Sequence, residues 1–383
     1  MGYTVALVGT GPDPDNPDTD GYAMAYRHAA AYQRLNECTL TACADIVVEN
    51  AEQFAEWWDL PPENVFEDAT RMLETVSPDI VSVCVPPNAH AQVVTSCAET
   101  GVPSAIHCEK PMAATWGDCE EMMRVCKKQD IQLTFNHQRR FGGPFRGAKQ
   151  LLDDGRIGNL ERVEIGGDNL FDYGSHLFDL AGLYTDQAEP SWVLAGIEYS
   201  EENVQFGAHN ENQALVQWEY ENGVLGLAST GSRSLFDAQI RLHGDAGVIE
   251  VGGEDAPLRI RTGDTWETVD TGRDGIHGPN ETLVDAAKQK IAERLPLVSA
   301  ERVRPSTYID RAIADVVDAV DSPNRSELAA ANSLQSTELI FAAWESARQQ
   351  GRVDLPLEIT DNPLEAMVES GTMLRESSDV TSH

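Results

Sequence analysis

Tyr3-Thr4-Val5-Ala6-Leu7-Val8-Gly9-Thr10-Gly11 decides the fold. An apolar run of strand length passes directly into two glycines one residue apart, the junction at which a tight strand-to-helix turn is built. Outward from it, strand-length apolar runs alternate with amphipathic stretches of helical length. Residues 3–8, 39–44, 80–85, 104–107 and 132–136 read as strands, and 23–35, 49–58, 89–100 and 115–129 as helices. Such alternation means right-handed βαβ units on a parallel sheet. After about residue 140 the rhythm changes. Helical stretches at 144–154 and 173–184 flank a strand. Runs at 192–199, 213–220, 224–230, 238–243 and 248–251 then follow with turn signals such as Glu221-Asn222-Gly223 and Gly244-Asp245, the pattern of an antiparallel sheet. Three helices, 279–294, 306–320 and 327–350, close the domain, the last stopping at Gly351. The expected fold class is α/β plus α+β: an N-terminal Rossmann domain with a doubly wound parallel sheet over 1–134, a C-terminal α/β domain on an open, mainly antiparallel sheet over 135–357, and an acidic tail over 358–383, mobile at its tip.

Composition narrows the function classes. The 383 residues are 41% hydrophobic, too apolar for disorder and enough for a sizeable core. Acidic residues number 63 against 28 basic, a formal net charge of −35, which argues against nucleic acid and against an anionic membrane surface. The acid is spread along the whole chain, and only six of the 28 basic residues are lysine. This is the style of salt-adapted proteins: molar salt shortens the Debye length to roughly 3 Å and screens the self-repulsion. No stretch has the ~20 apolar residues of a membrane span, and Met1-Gly2-Tyr3 runs straight into a strand without a leader, so a cytoplasmic protein is expected. The seven cysteines (38, 43, 84, 97, 108, 119 and 126) contain no Cys-x-x-Cys pair, so neither a disulfide framework nor a zinc site is expected.

Gly9, Thr10 and Gly11 stand where a dinucleotide fold lets its backbone approach a pyrophosphate. The spacing departs from the usual fingerprint. Residues 12–21 delay the helix and carry four carboxylates, read as a solvated surface excursion, and Ala25 takes the place of the third glycine. Asp45 ends the second strand, 34 residues after Gly11; without an 11-residue insertion the separation is 23, near the ~20 at which an acidic residue bonds the adenosine ribose. Ile46, Val47 and Val48 follow with no arginine for a 2′-phosphate, which favours NAD over NADP. The same Asp45 could instead cap the helix near Glu49.

Four further motifs occur in order: Val83-Cys84-Val85-Pro86-Pro87-Asn88-Ala89-His90, Cys108-Glu109-Lys110-Pro111, Asn136-His137-Gln138-Arg139-Arg140-Phe141, and Asp172-Tyr173-Gly174-Ser175-His176-Leu177-Phe178-Asp179. Together they resemble the Gfo/Idh/MocA oxidoreductases, the family of glucose–fructose oxidoreductase and inositol dehydrogenase. Gly155-x-Ile157-Gly158 and the stretch 338–356 extend the likeness to most of 3–357. The resemblance implies that Lys110, Asp172 and His176 carry the chemistry and contact substrate, and that Pro86, His90 and Glu109 lie at the cofactor. Arg140, beside Arg139, is a candidate for a sugar hydroxyl or carboxylate, or for pairing with an acid. His107 and His137 have no assigned role.

The implied roles agree with the chemistry. Oxidising a carbinol removes a proton from oxygen while hydride leaves carbon, and a neutral imidazole suits the proton near pH 7. A carboxylate four residues away can orient the ring, and an ammonium at a strand end can orient the hydroxyl. Lys110 could alternatively be a surface residue paired with Glu109. The connection from Gly158 to Asp172 is thirteen residues, shorter than in many family members, which leaves the pocket more open or completed by another subunit. The expected protein is an NAD-dependent dehydrogenase acting on a sugar, cyclitol or related polyol, without a metal, as a homodimer or homotetramer. Its rivals are a redox-neutral NAD-using sugar lyase or hydrolase of the same family and a non-catalytic NAD-binding regulatory subunit.

Overall fold

Six parallel strands stand in the order β3-β2-β1-β4-β5-β6: β1 (Tyr3–Val8), β2 (Cys38–Ala44), β3 (Val65–Phe66), β4 (Ile80–Val83), β5 (Ala105–Cys108) and β6 (Gln132–Phe135). The structure, a computed structural model, describes residues 2–12, 14, 23–252, 257–292, 304–322 and 325–373. The helices α1 (Met24–Tyr32), α2 (Val48–Trp57), α3 (Ala69–Val76), α4 (Pro87–Glu99) and α5 (Trp116–Lys128) connect the strands. Helices on both faces bury such a sheet completely, and β4 and β5 are accordingly buried at every position. Two short elements had no sequence expectation, β3 and α3, the latter begun by Asp68 accepting from Arg71 N at 2.7 Å. The acidic insertion falls outside the described residues except for Pro12 and Pro14.

The chain divides into two compact units, and the division is not linear. Met1–Ala113, Asp118–Gly143 and Thr271–Ser333 form the first; Ala114–Gly117, Pro144–Asp270 and Leu334–His383 form the second. The described residues between 271 and 333, expected in the second domain, therefore group with the Rossmann sheet. The reason is apolar: Ile309, Ile313 and Val317 on the helix Tyr308–Ala319 share one core with Val5, Leu7, Ala29, Tyr32 and Phe54. That helix starts in a full capping box between Thr307 and Asp310. Within the same unit, Phe135 N donates to Leu328 O at 3.1 Å.

The second unit contains α6 (Gly143–Asp153) and α7 (Gly174–Tyr184), with strands β7 (Leu160–Gly167), β8 (Pro190–Glu198), the small pair β9 (Val204–Gln205) and β10 (Ala208–His209), β11 (Gln213–Tyr220), β12 (Leu225–Gly231), β13 (Ile240–Gly244), β14 (Gly247–Val251), β15 (Leu258–Arg261) and β16 (Glu267–Thr268). Its large sheet has the order β16-β15-β14-β13-β7-β12-β11-β8, extended by Val353–Asp354 beside β8. Among the described pairs in this sheet only β7 and β12 run parallel; the rest are antiparallel. The helical crossover through α7 returns β8 in the direction of β7, and the two reversals through β11 leave β12 parallel to β7. All eleven residues of α7 are buried, as an all-round apolar helix requires, and Phe178 stacks on Trp218 of β11 at 5.1 Å.

The tail carries a helix for which there was no sequence expectation, and its tip, expected to be mobile, lies outside the described residues. The helix Pro363–Glu369 buries Leu364 and Met367, and Asn362 both caps it and donates to Ala114 O at 2.9 Å. Residues 374–383 lie outside the described part. No described helix is long and apolar enough to cross a membrane.

Candidate active site

The carboxyl edge of the Rossmann sheet is set by register. Val8, Val83, Cys108 and Phe135 lie side by side on β1, β4, β5 and β6. The residues that follow them, Gly9, Cys84, Glu109 and Asn136, therefore line one edge, and Lys110 leaves it two strands from the glycine loop, roughly 10 Å away at the usual strand spacing. Gly9 has φ +81°, and a Cβ there would fall 2.5 Å from Val85 Cγ1, so only glycine fits. Gly11 has φ +64° with open space where a side chain would be.

Asp45 fastens this loop. Its Oδ2 accepts from Gly11 N at 2.9 Å and from Thr10 Oγ1 at 3.2 Å, and its Oδ1 accepts from Val47 N at 2.8 Å. The two sequence readings of Asp45 were a ribose contact and a helix cap. The carboxylate in fact joins the glycine loop to the start of α2, with a lone pair to spare on Oδ1. Beside it Ile46 is 87% exposed, an apolar surface at the end of β2. An open glycine turn, a carboxylate at the second strand and an apolar platform without a cation fit the adenosine half of NAD.

Beneath Lys110 lies a buried polar cluster. His28, on α1, meets Ser82 Oγ through Nδ1 at 2.7 Å and Glu109 Oε1 through Nε2 at 2.8 Å. Asn136 Nδ2 donates to Glu109 Oε1 at 2.6 Å, and Lys110 N reaches Glu109 Oε2 at 3.3 Å. Burial alone would push the Glu109 carboxyl up, but the hydrogen bond and charge of His28, with Asn136, hold it down at about 2. Burial lowers the His28 ring, and Cys84 and Glu109 outweigh it, so the ring stays protonated. His107 stacks on His28 with centroids 5.2 Å apart and bonds Thr134 Oγ1 at 2.9 Å. Burial, then the charge of His28, depresses it to about 3. This pair of unlike charges holds the backbone from which Lys110, itself half-buried, projects.

Two residues expected at the cofactor turn out to be interior. His90 is fully buried, with Nε2 on Val85 O at 2.8 Å and Nδ1 on Pro111 O at 2.9 Å. Both ring nitrogens face main-chain carbonyls, one of which takes the single N–H of the neutral ring, so the side chain is enclosed between the loop after β4 and the loop after β5 and offers nothing outward. Glu109 is likewise 7% exposed and taken up by the cluster. Pro86 is exposed at the N-cap of α4, with Pro87 opening the helix. Arg140 is only 2% exposed, on a 3-10 turn, and His137 is buried beside it.

In the second unit, Asp172 sits half-buried in the turn before α7, and His176 is the third residue of the helix, buried. Ser175 Oγ donates to Asp172 O at 3.1 Å. A Cβ on Gly174 would fall 2.4 Å from Asn169 O, so the turn tightens only with glycine there. The short Gly158–Asp172 connection is filled by β7. A cavity of about 450 Å³ opens beside this turn, lined by Asp168, Asn169, Glu198, Asn203, Asn212 and Arg233 among others. Among the described residues no three His, Cys, Asp or Glu side chains gather as a metal site.

His28, Ser82, Asn210 and Glu211 escaped the sequence reading. Their partners are 81 residues away for His28 with Glu109 and 41 for Glu211 with Leu170, separations at which no local periodicity speaks.

Comparison with known proteins agrees with this geometry. Residues 20–137 match the oxidoreductase family model described as an NAD-binding Rossmann fold, and residues 161–250 match the GFO/IDH/MocA C-terminal domain. The chain is 25% identical over 240 residues to myo-inositol 2-dehydrogenase of Thermotoga maritima, covering 58% of this chain and 70% of that protein. It is 26% identical over 257 residues to inositol 2-dehydrogenase of Rhizobium meliloti, covering 62% and 76%. Among solved structures, an inositol dehydrogenase homologue of Azotobacter vinelandii complexed with NADH and myo-inositol superposes with a TM-score of 0.71 at 17% identity, over 93% of this chain and 98% of that one. Aldose-aldose oxidoreductase of Caulobacter crescentus gives 0.71 at 19% identity, over 93% and 100%. With an NAD-binding Rossmann domain followed by this C-terminal domain, the chain belongs to the Gfo/Idh/MocA oxidoreductase family.

Proposed function

We propose that the protein is an NAD-dependent dehydrogenase that oxidises a secondary hydroxyl of a cyclitol, sugar or related polyol, reversibly. The observation that carries the reading is the position of Lys110: it leaves the sheet edge that also carries the glycine loop, on a backbone fixed by the His28–Glu109 pair. The relatives' names, myo-inositol 2-dehydrogenase and D-glucoside 3-dehydrogenase, support the substrate class.

NAD supplies the hydride acceptor. Gly9, Thr10 and Gly11 would face its pyrophosphate, and Asp45, with Ile46 beside it, its adenosine, with NAD preferred to NADP because no cation follows Asp45. Pro86 borders the same edge, while His90 and Glu109 shape it from beneath. The Lys110 ammonium orients the substrate hydroxyl and steadies negative charge as it builds on oxygen. The His176 imidazole takes the hydroxyl proton and returns it in the reverse direction, and Asp172 stabilises the imidazolium. Arg140, buried as it is, would act on substrate only by holding the wall of the pocket.

Two wider features belong to the same proposal. The exposed Leu194 and Leu215, neighbours on β8 and β11, favour a homo-oligomer through that face of the sheet. Seven free cysteines suit a reducing cytoplasm, and the acidic surface suits high salt.

The test is the full chain in molar KCl with a panel of cyclitols, sugars and sugar acids, followed through nicotinamide absorbance with NAD and with NADP. We expect net NAD reduction with at least one polyol, and about a 100-fold or greater loss of kcat in His176→Ala and Lys110→Ala. Substrate consumed without net NAD reduction would replace this reading with redox-neutral chemistry. Turnover unchanged in both variants would remove the assigned roles.

A further inference from the structure

We propose that Glu211 and Asn210 are positioning residues for the segment that carries Asp172 and His176; this rests on the roles given to that pair above. Both residues are 0% exposed, and each accepts a main-chain N–H of the same turn. Glu211 Oε1 accepts from Leu170 N at 2.7 Å, and Asn210 Oδ1 accepts from Asp172 N at 3.1 Å. Asn169 Oδ1 accepts from Tyr173 N at 2.9 Å. Three of four successive N–H groups, at 170, 172 and 173, are therefore fixed by side chains just where α7 begins. The side chain between the first two is held in an aromatic group: Phe171 packs on Trp344 at 5.5 Å and Phe341 at 6.1 Å. With Phe171 held in the core and the flanking amides held by Asn210 and Glu211, the chain has little freedom left in how it presents Asp172, and His176 follows one helical turn later.

The choice of a carboxylate is informative. Glu211 takes part in no ion pair among the described residues, and burying a charge without one is costly unless hydrogen bonds replace water. Its donors come from three separate elements: Leu170 on the turn, Thr230 Oγ1 on β12 at 3.2 Å, and Trp344 Nε1 on the helix Ala330–Gln349 at 3.1 Å. A space-filling role needs only an apolar side chain of similar volume. Accepting from three directions at once needs two oxygens with free lone pairs, which glutamine cannot offer because its amide nitrogen would face one of the donors. Burial pushes the carboxyl up to about 7 against the pull of these hydrogen bonds, so the site pays for its geometry.

The test uses the full chain labelled with carbon-13 at histidine, the His176 signal being identified by its loss in His176→Ala. Glu211→Gln keeps the shape and disturbs one acceptor. We expect the His176 resonance to shift or broaden while those of His28 and His107 stay in place. On a polyol that the wild type oxidises, kcat should fall about 10- to 100-fold, as for a displacement of order 1 Å, with the KM for NAD within about twofold. A folded Glu211→Gln with an unmoved His176 resonance overturns the proposal. Should that variant not fold, Asn210→Ala, which frees the Asp172 amide, is read in the same way. Full turnover in His176→Ala would defeat the functional reading, while the resonance would still decide whether Glu211 holds the segment.

Discussion

Breaking the His28–Glu109 pair should cost far more than removing both partners. Nε2 and Oε1 are 2.8 Å apart, with side-chain exposures of 0% and 10%. At an effective dielectric of about 20, the attraction of unit charges at that distance is about 6 kcal/mol. Most of it offsets the loss of hydration, so the net worth of the pair is small, but an orphaned buried charge is not. His28→Leu leaves Glu109 to Asn136, the Lys110 amide and the charge of Lys110, and the expected loss is about 3–5 kcal/mol. Glu109→Leu should cost less, because the imidazole can release its proton. The double variant His28→Leu/Glu109→Leu should return to within about 2 kcal/mol of wild type. The pH of the measurement follows from the directions of the two shifts. His28 is raised in the fold, so its contribution is complete below its ordinary value of 6.5 and is lost as the ring deprotonates on the alkaline side. Glu109 is depressed, so its contribution is complete above 4.5 and is lost in strong acid. Both act fully between 4.5 and 6.5. Urea unfolding followed by circular dichroism at pH 6, in molar KCl, gives the four corners of the cycle. A single-variant loss under about 1 kcal/mol, or a double variant as unstable as the two singles summed, would refute the charged-pair account.

Three further outcomes follow from the same geometry. The Glu211 carboxyl is raised from 4.5 to about 7, because burial opposes the ionised form that its three donors hold; stability relative to Glu211→Gln should fall by about 3 kcal/mol as pH rises through that window, measured by denaturant midpoints at pH 4.5, 6 and 8. A flat difference across the window would show that the carboxyl is not strained by burial. Asp45→Ala should weaken NAD binding by about 10- to 100-fold in a fluorescence titration, with a smaller effect on NADP; equal losses for both would mean that Asp45 acts only through the glycine loop. With a net charge of −35, the thermal midpoint should rise between 0.1 and 2 M KCl, and a midpoint highest in dilute buffer would contradict salt adaptation.

Local pattern settled the elements. Apolar runs bounded by glycine and proline identify strands because the side-chain period is short-range, and the alternation of strand and helix from Tyr3 to Phe135 leaves few topologies besides a doubly wound parallel sheet. Gly9 and Gly11 were legible because a positive φ tolerates little else, and the glutamate-lysine-proline and aspartate-histidine motifs were legible because their order along the chain is specific. What lay beyond the sequence is everything that depends on which surfaces meet. The helix Tyr308–Ala319 reads as amphipathic, yet only tertiary contact reveals that its apolar stripe covers the Rossmann core. The parallel pairing of β7 with β12 depends on a crossover and two reversals, none of which leaves a mark on either strand alone. His90 and Glu109 read as ligand contacts and are instead interior braces, because a motif reports that a polar residue is needed and not which way it faces. Glu211 looked like one of 63 acids. Burial made it distinct, since a carboxylate removed from water must be given donors, and those come from parts of the chain that only folding brings within reach.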